Sequence, residues 1–195
     1  MAIEYELKFE ATPQILSAID AYTAADATTY QMQTTYYDTP TRALSARHYT
    51  LRCRAENEKY VCTLKTPAKN GRNEIELPCE HIEDAIDMLC KLSGIPDLAQ
   101  LLQEGIAAVC GARFTRIAKT LDIPGGTVEL ALDQGVLLGG GKKIPLCEVE
   151  VELKSGSSAA AQAYARALAM QFDLKPQPKS KFRRALELAK GEGYV

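Results

Sequence analysis

Histidine is scarce: only His48 and His81 occur in 195 residues, too few for a zinc site of the usual Cys/His spacing. Six cysteines are present, Cys53, Cys62, Cys79, Cys90, Cys110 and Cys147, yet none forms a CxxC pair. A chain of this size does not need disulfide staples, so they read as free thiols in a reducing compartment. No apolar run approaches the roughly 20 residues that cross a bilayer. The opening MAIEYELKFE is charged from its fourth residue and lacks a signal-peptide apolar segment. The expectation is a cytoplasmic protein with no membrane partner. Positive charge is not in excess: a formal net charge of -2 argues against a broad nucleic-acid surface, while leaving room for a small basic pocket.

What is present suits one folded domain spanning 1–195. Hydrophobic residues make up 46% and charged residues 25%, ordinary for a globular chain and far from disorder. Period-two alternation marks a first strand, Ala2 to Glu10, with Ile3, Tyr5, Leu7 and Phe9 on one face and Glu4, Glu6 and Lys8 on the other. Pro13 opens a helix, and Thr28 to Asp38 reads as a strand stopped by Asp38-Thr39-Pro40. Tyr49 to Ala55 and Lys59 to Thr66 form a hairpin, followed by a strand over Arg72 to Cys79. Helices are expected over Ile82 to Leu92, closed by Gly94, and over Asp97 to Val109. Strands return over Arg113 to Ile123, Thr127 to Asp133 and Val136 to Leu138, then Pro145 to Lys154. Helices over Ala159 to Phe172, capped by Ser157, and over Lys181 to Lys190 end the chain. Runs of strands interleaved with helix pairs favour an α+β fold on an antiparallel sheet.

The charges are the informative feature. Arg52 and Arg54 share a strand face, as do Thr63 and Lys65, Glu74 and Glu76, Glu129 and Asp133, and the row Glu148, Glu150 and Glu152. Solvated strand faces also carry charge, and that bland explanation is the default for any single strand. Segregation by sign weakens it, because wetted faces usually mix signs and a row of carboxylates about 7 Å apart repels itself. If helices cover the apolar faces, the charged faces converge on a barrel interior. Carboxylates on one wall and Arg/Lys on another suit a metal-chelated polyphosphate. Gly139-Gly140-Gly141-Lys142-Lys143 misses the GxxxxGK[ST] spacing and reads as a hairpin loop. His48 reads as a turn residue, and Tyr36 and Tyr37 as strand packing.

These motifs resemble, in order and over nearly the whole chain, those of the CYTH superfamily, the triphosphate tunnel metalloenzymes. Glu4-Tyr5-Glu6-Leu7-Lys8 matches its ExExK signature, Tyr36-Tyr37-Asp38-Thr39 its YYDT, Leu51-Arg52-Cys53-Arg54 its LRxR and Thr63-Leu64-Lys65 its TLK. Glu74 with Glu76, the stretches Val128–Gly135 and Glu148–Leu153, and Ser180-Lys181 with Arg184 resemble its later acidic strands and C-terminal basic motif. Thr50 stands where many relatives carry Gly. The resemblance implies an eight-stranded antiparallel β-barrel, a tunnel with a charged interior and helices packed outside.

The resemblance also implies roles. Glu4, Glu6, Glu150 and Glu152 are first choices for metal contact, with Glu129, Asp133 and Glu148 nearby. The metal is Mg²⁺ or Mn²⁺, since hard oxygen ligands select hard cations. Lys8, Arg52, Arg54, Lys65, Arg116 and Lys181 would hold phosphate oxygens, with Arg113 and Arg184 as further candidates. Arg116 fits best by its spacing from Glu129, and Arg113 stands close behind. Glu4, Glu6 and Lys65 are the candidate catalytic groups. The implied reaction is hydrolysis of inorganic triphosphate to pyrophosphate and phosphate. Alternatives are a thiamine triphosphatase, a class IV adenylyl cyclase or a non-catalytic polyphosphate-binding module. The expected partner is a small triphosphate or polyphosphate, not nucleic acid, and the oligomeric state is open, a homodimer included.

Overall fold

The first strand is broken, and that break shapes the barrel. The computed structural model describes residues 2–69 and 71–191, with side chains from residue 4 onward, so the Ile3 side chain lies outside the described residues. Strand β1 (Ala2–Glu4) and strand β2 (Glu6–Glu10) are two halves of the expected first strand, separated by Tyr5. Helix α1 (Pro13–Tyr22) follows, then β3 (Ala27–Asp38), a short helix α2 (Ala43–Ala46), β4 (Thr50–Glu56), β5 (Lys59–Ala68) and β6 (Gly71–Pro78). Helices α3 (Ile82–Ser93) and α4 (Leu98–Leu102) lead into the long strands β7 (Ala107–Ile123), β8 (Gly126–Gly139) and β9 (Lys142–Gly156). Helix α5 (Ser158–Phe172), the two-residue strand β10 (Lys175–Pro176) and helix α6 (Lys181–Lys190) complete the described chain.

All ten strands join one antiparallel sheet in the order β1-β6-β5-β4-β3-β7-β8-β9-β2-β10. β1 pairs with β6 at one end and β2 pairs with β9 at the other. Among the described residues no ladder joins β6 to β9, so the sheet does not close directly; the interrupted first strand bridges them, and the Leu153 amide donates to the Tyr5 carbonyl at 2.9 Å beside the break. Counting β1 and β2 as one strand gives nine against the eight expected, the extra one being the two-residue β10, which pairs with β2.

Local chemistry explains most element ends. The Thr12 hydroxyl caps α1 through the Ile15 amide, with Pro13 in the first turn; Ser157 caps α5 and Ser180 caps α6 in the same way. Each such cap contributes about 1 kcal/mol. Gly94 takes a left-handed φ of 64° and stops α3. The β4–β5 turn is tighter than expected: Asn57 sits at φ 57°, and its side chain accepts from the Gln31 amide. The helix expected over Asp97 to Val109 is one short turn, α4, and β7 starts six residues earlier than expected. Gly105 at φ 81° breaks the helix, and Ala107 to Val109 extend the ladder with β3.

Two apolar layers cover the outside of the barrel. Phe9, Val128, Leu130, Leu132, Val149 and Val151 pack under α1 and α5, and Tyr5 and Leu7 join them as the alternation predicts. Leu51, Cys53, Cys62, Leu64 and Ile75 pack under α3 and α4. Truncating a fully buried leucine such as Leu130 would cost about 2–5 kcal/mol.

Helix α6 is placed differently. Period-two alternation along β8 puts Leu137 and Gly139 on the same face as Glu129 and Asp133, and α6 lies on that inner face, with Ala185 packed beside Leu137, Ala112 and Leu146. A Cβ at Gly139 would sit 2.3 Å from the Ala185 carbonyl oxygen, so glycine lets the helix backbone reach the strand. Five helices therefore pack outside, as expected, while the sixth stoppers one end of the barrel.

Candidate functional site

A cavity of about 260 Å³ runs inside the barrel. Its wall is ionic. Eight acidic residues line it (Glu4, Glu6, Glu56, Glu74, Glu76, Glu129, Glu150 and Glu152) and eight basic ones face them: Lys8, Arg52, Arg54, Lys65, Arg72, Arg116, Lys154 and Lys181. They converge because every contributing strand alternates, with charged positions inward and apolar positions under the helices. A smaller uncharged portion holds Tyr30, Met32, Thr34, Tyr36 and Phe114.

The cations and anions of the lumen are paired along and between neighbouring strands. Lys65 Nζ lies 2.5 Å from Glu4 and 3.1 Å from Glu74; Lys8 lies 2.9 Å from Glu6; Lys154 lies 2.9 Å from Glu152 and 3.7 Å from Glu129. Arg52 approaches Glu74 at 3.4 Å and Glu76 at 3.6 Å, and Arg54 contacts Glu56. The Nε atoms of Arg52 and Arg54 are buried with no hydrogen-bond acceptor, so each guanidinium keeps a free donor.

Register brings a second set of carboxylates together. Glu6 faces Glu152 across β2–β9, and Glu129 faces Glu152 across β8–β9. Burial raises the Glu152 carboxyl; Lys154 pulls it down, while the charges of Glu4 and Glu129 push it further up. Like-charged oxygens crowded in this way are the donor set a hard divalent cation takes. Glu6, Glu129 and Glu152 are the hard oxygen donors that the register sets side by side.

A deeper trio has a different character. Carboxylate oxygens of Asp133, Glu148 and Glu150 lie within 4.8 Å of one another, and all three residues are buried. Their charge is already met by protein cations. Lys181 Nζ is 2.8 Å from Asp133, 2.5 Å from Glu148 and 2.6 Å from Glu150. Arg116 grips both Asp133 oxygens at 2.8 and 2.7 Å and Glu150 at 2.5 Å, and Arg184 pairs with Glu148. Burial opposes the charge on Lys181, but Asp133, Glu150 and Glu148 outweigh it and raise the ammonium above its usual value. Burial also opposes Glu150, yet Lys181 and Arg116 hold it well below the usual carboxylate range. Glu148 goes the other way: burial, reinforced by Glu150, pushes it up to about 7 against Lys181 and Arg184.

Of the residues singled out by sequence, Glu4, Glu6, Lys8, Arg52, Arg54, Lys65, Arg116, Glu129, Glu150, Glu152 and Lys181 line the cavity. Asp133, Glu148 and Arg184 are buried behind it. Arg113 points the opposite way: on β7 it alternates with Arg116 and is exposed on the outer face. Arg72, Lys154 and Glu56 line the cavity but had no role in the sequence reading, though Arg72 and Lys154 continue the alternation of Glu74-Glu76 and Glu148-Glu150-Glu152 and so were detectable. Thr50 starts β4, and its hydroxyl accepts from Arg72 Nη2 at 3.0 Å. Tyr36 is more than packing: it lines the cavity and stacks against Phe182 of α6 at a centroid distance of 5.0 Å.

A family model described as the CYTH domain matches residues 2–186. The chain belongs to that family. This CYTH chain is 29% identical over 159 residues to the inorganic triphosphatase of Haemophilus influenzae; the match covers 77% of the chain and 45% of that relative, so the chain spans about half the relative's length. In fold it is similar to a candidate adenylyl cyclase from Hippeastrum described as having a dominant triphosphatase activity (TM-score 0.67, 16% identity, covering 100% of this chain and 98% of the other). It is also similar to a Pyrococcus horikoshii protein (TM-score 0.66, 21% identity, covering 95% and 99%). At these identities the likeness concerns the CYTH fold alone. Among the described residues, no helix is long and apolar enough to cross a membrane.

Proposed function

We propose that this CYTH domain hydrolyses inorganic triphosphate to pyrophosphate and phosphate in the tunnel, with a divalent cation. The observation that carries the reading is the balanced wall of eight carboxylates and eight cations, with every cation but Arg72 already ion-paired among the described residues. A triphosphate alone would bring several negative charges into a site of zero net formal charge, facing eight carboxylates. A metal ion alone would face eight cations. Together they exchange partners: phosphate oxygens replace carboxylates on Lys8, Arg52, Arg54 and Lys65, Arg116 and Lys181 add positive charge while still held by Asp133, Glu148 and Glu150, and Glu4, Glu6, Glu129 and Glu152 take the cation.

When bound, the cation would neutralise charge on the transferring phosphoryl group and polarise its oxygens. Mg²⁺ and Mn²⁺ suit the oxygen donors. The protein's own contribution is positioning and charge. Guanidinium groups of Arg52 and Arg54 fix oxygens through their unfilled Nε donors. Water attacks the terminal phosphorus, a new P–O bond forms, and the bridging P–O bond breaks with its electrons on pyrophosphate. Lys65 and Lys8 stabilise that developing charge. Glu4 or Glu6, released from its lysine, takes the proton of the attacking water.

The Haemophilus relative's name supports triphosphate over a nucleotide. The test is phosphate release from tripolyphosphate, thiamine triphosphate and ATP with Mg²⁺, Mn²⁺ or EDTA. Fast metal-dependent release from tripolyphosphate is expected. Pyrophosphate and cyclic AMP from ATP would establish a cyclase instead, and tight binding without turnover a polyphosphate-binding module.

A further inference from the structure

Asp133 and Glu148 are fully buried and stay out of the cavity, yet both end on Lys181, the cationic group of α6 that lines it. We propose that Asp133, Glu148 and Arg184 are positioning residues, forming a bracket that aims the Lys181 ammonium into the tunnel and leaves no room for a metal ion.

Three converging carboxylates have the outline of a cation site. A lysine ammonium fills it. Lys181 has three N–H donors and meets three carboxylates, Asp133, Glu148 and Glu150, at 2.8, 2.5 and 2.6 Å. The remaining oxygens are taken as well, by Arg116 on Asp133 and Glu150 and by Arg184 on Glu148. With all three carboxylates ionised, three anions meet three cations and the cluster is neutral; with Glu148 protonated it is positive. A divalent ion entering it would add two buried charges with no anion left to offset them.

The geometry also explains why the lysine sits on a helix. Lys181 and Arg184 are three residues apart on α6, on one face, and both close on Glu148 of β9. That double grip fixes the rotation of α6 and holds Lys181 5.3 Å from the centre of the Phe114 ring. A free lysine would have to be ordered when substrate binds; a bracketed one is ordered beforehand. What Lys181 touches in turnover rests on the triphosphatase reading, but the bracket itself does not.

The test uses the full chain labelled with ¹⁵N and observes lysine ammonium signals by NMR at neutral pH, with Lys181→Arg identifying the Lys181 signal. A bracketed ammonium exchanges slowly with water, so wild type should show that signal. Glu148→Gln and Arg184→Gln should lose it while their backbone spectra stay folded. In parallel, Mn²⁺ binding without substrate is followed by electron paramagnetic resonance. Glu148→Gln should bind Mn²⁺ like wild type, whereas Glu152→Gln should bind about tenfold more weakly. For tripolyphosphate, kcat/KM should fall about tenfold in Glu148→Gln and recover in part in Glu148→Asp. An intact Lys181 signal in the folded variants, or an equal loss of Mn²⁺ affinity in Glu148→Gln and Glu152→Gln, overturns the proposal. If Glu148→Gln does not fold, Arg184→Gln carries the same two readouts. Wild type that shows the slow ammonium signal but never cleaves tripolyphosphate would sink the functional reading and leave the bracket standing.

Discussion

Lys65 Nζ lies 2.5 and 2.6 Å from the two carboxylate oxygens of Glu4, a residue 61 positions away. The contact exists because β1 turns away from β2 at Tyr5 and pairs with β6, whose other neighbour is β5. It joins the acidic and basic motifs of the chain on one wall of the lumen, and under the proposed function both a phosphate and a metal ion must open it.

Binding of metal and triphosphate should therefore be strongly cooperative. Calorimetric titration of tripolyphosphate is expected to show affinity at least about tenfold higher with Mg²⁺ than with EDTA. Equal affinity in both conditions would mean that the Lys65–Glu4 and Lys8–Glu6 pairs do not split on binding.

Under the proposed function, Lys65→Ala and Arg54→Ala should each lower kcat/KM for tripolyphosphate by about 100-fold or more, since each would remove a cation from the transferring group. Both residues line the lumen rather than the apolar layers, so far-ultraviolet circular dichroism should remain that of the wild type. Folded variants with normal turnover would remove these residues from the mechanism.

Glu148 gives stability a pH dependence with a definite sign. Its carboxyl is pushed from 4.5 up to about 7 in the folded chain, so the folded state holds the proton more tightly than the unfolded one. That contribution is fully present below about 4.5 and is lost as pH rises towards 7. Urea titrations of wild type and Glu148→Gln between these limits should show the wild-type advantage shrinking with rising pH. A constant difference would show that Glu148 binds its proton equally in the folded and unfolded chain.

Gly139→Val should loosen the stopper at the end of the barrel. The added Cβ would fall 2.3 Å from the Ala185 carbonyl oxygen and 2.8 Å from the Ala189 amide nitrogen, both backbone atoms that cannot rotate away. Overpacking of this kind costs about 1–3 kcal/mol, visible as a lower Tm. An unchanged Tm would mean that α6 shifts freely on β8.

Much of this molecule was legible in the chain itself. Alternation put Glu4, Glu6 and Lys8 opposite Tyr5, Leu7 and Phe9, and it separated Arg52 and Arg54 from Leu51 and Cys53, because a strand can hide only one face under a helix. The cap at Ser157, the helix start at Pro13 and the stop at Gly94 were equally local. The end of α4 was not: Asp97 to Val109 carries helical spacing, and pairing with β3 claimed its last residues for β7.

Burial depth within the inward set was decided only by the tertiary structure. Glu148, Glu150 and Glu152 are indistinguishable in sequence, yet Glu148 lies beneath Lys181 and Arg184, Glu150 bridges Lys181 and Arg116, and Glu152 faces Glu129 and Lys154. Spacing ranked Arg116 only narrowly ahead of Arg113, and the register of β7 on β8 set Arg116 opposite Asp133. The sequence by itself determined which residues turn inward, since that follows from a period of two along each strand. Which charges meet in the lumen, and which are used up by one another, depended on how far α6 enters the barrel and where β1 breaks, and both are contacts between distant parts of the chain.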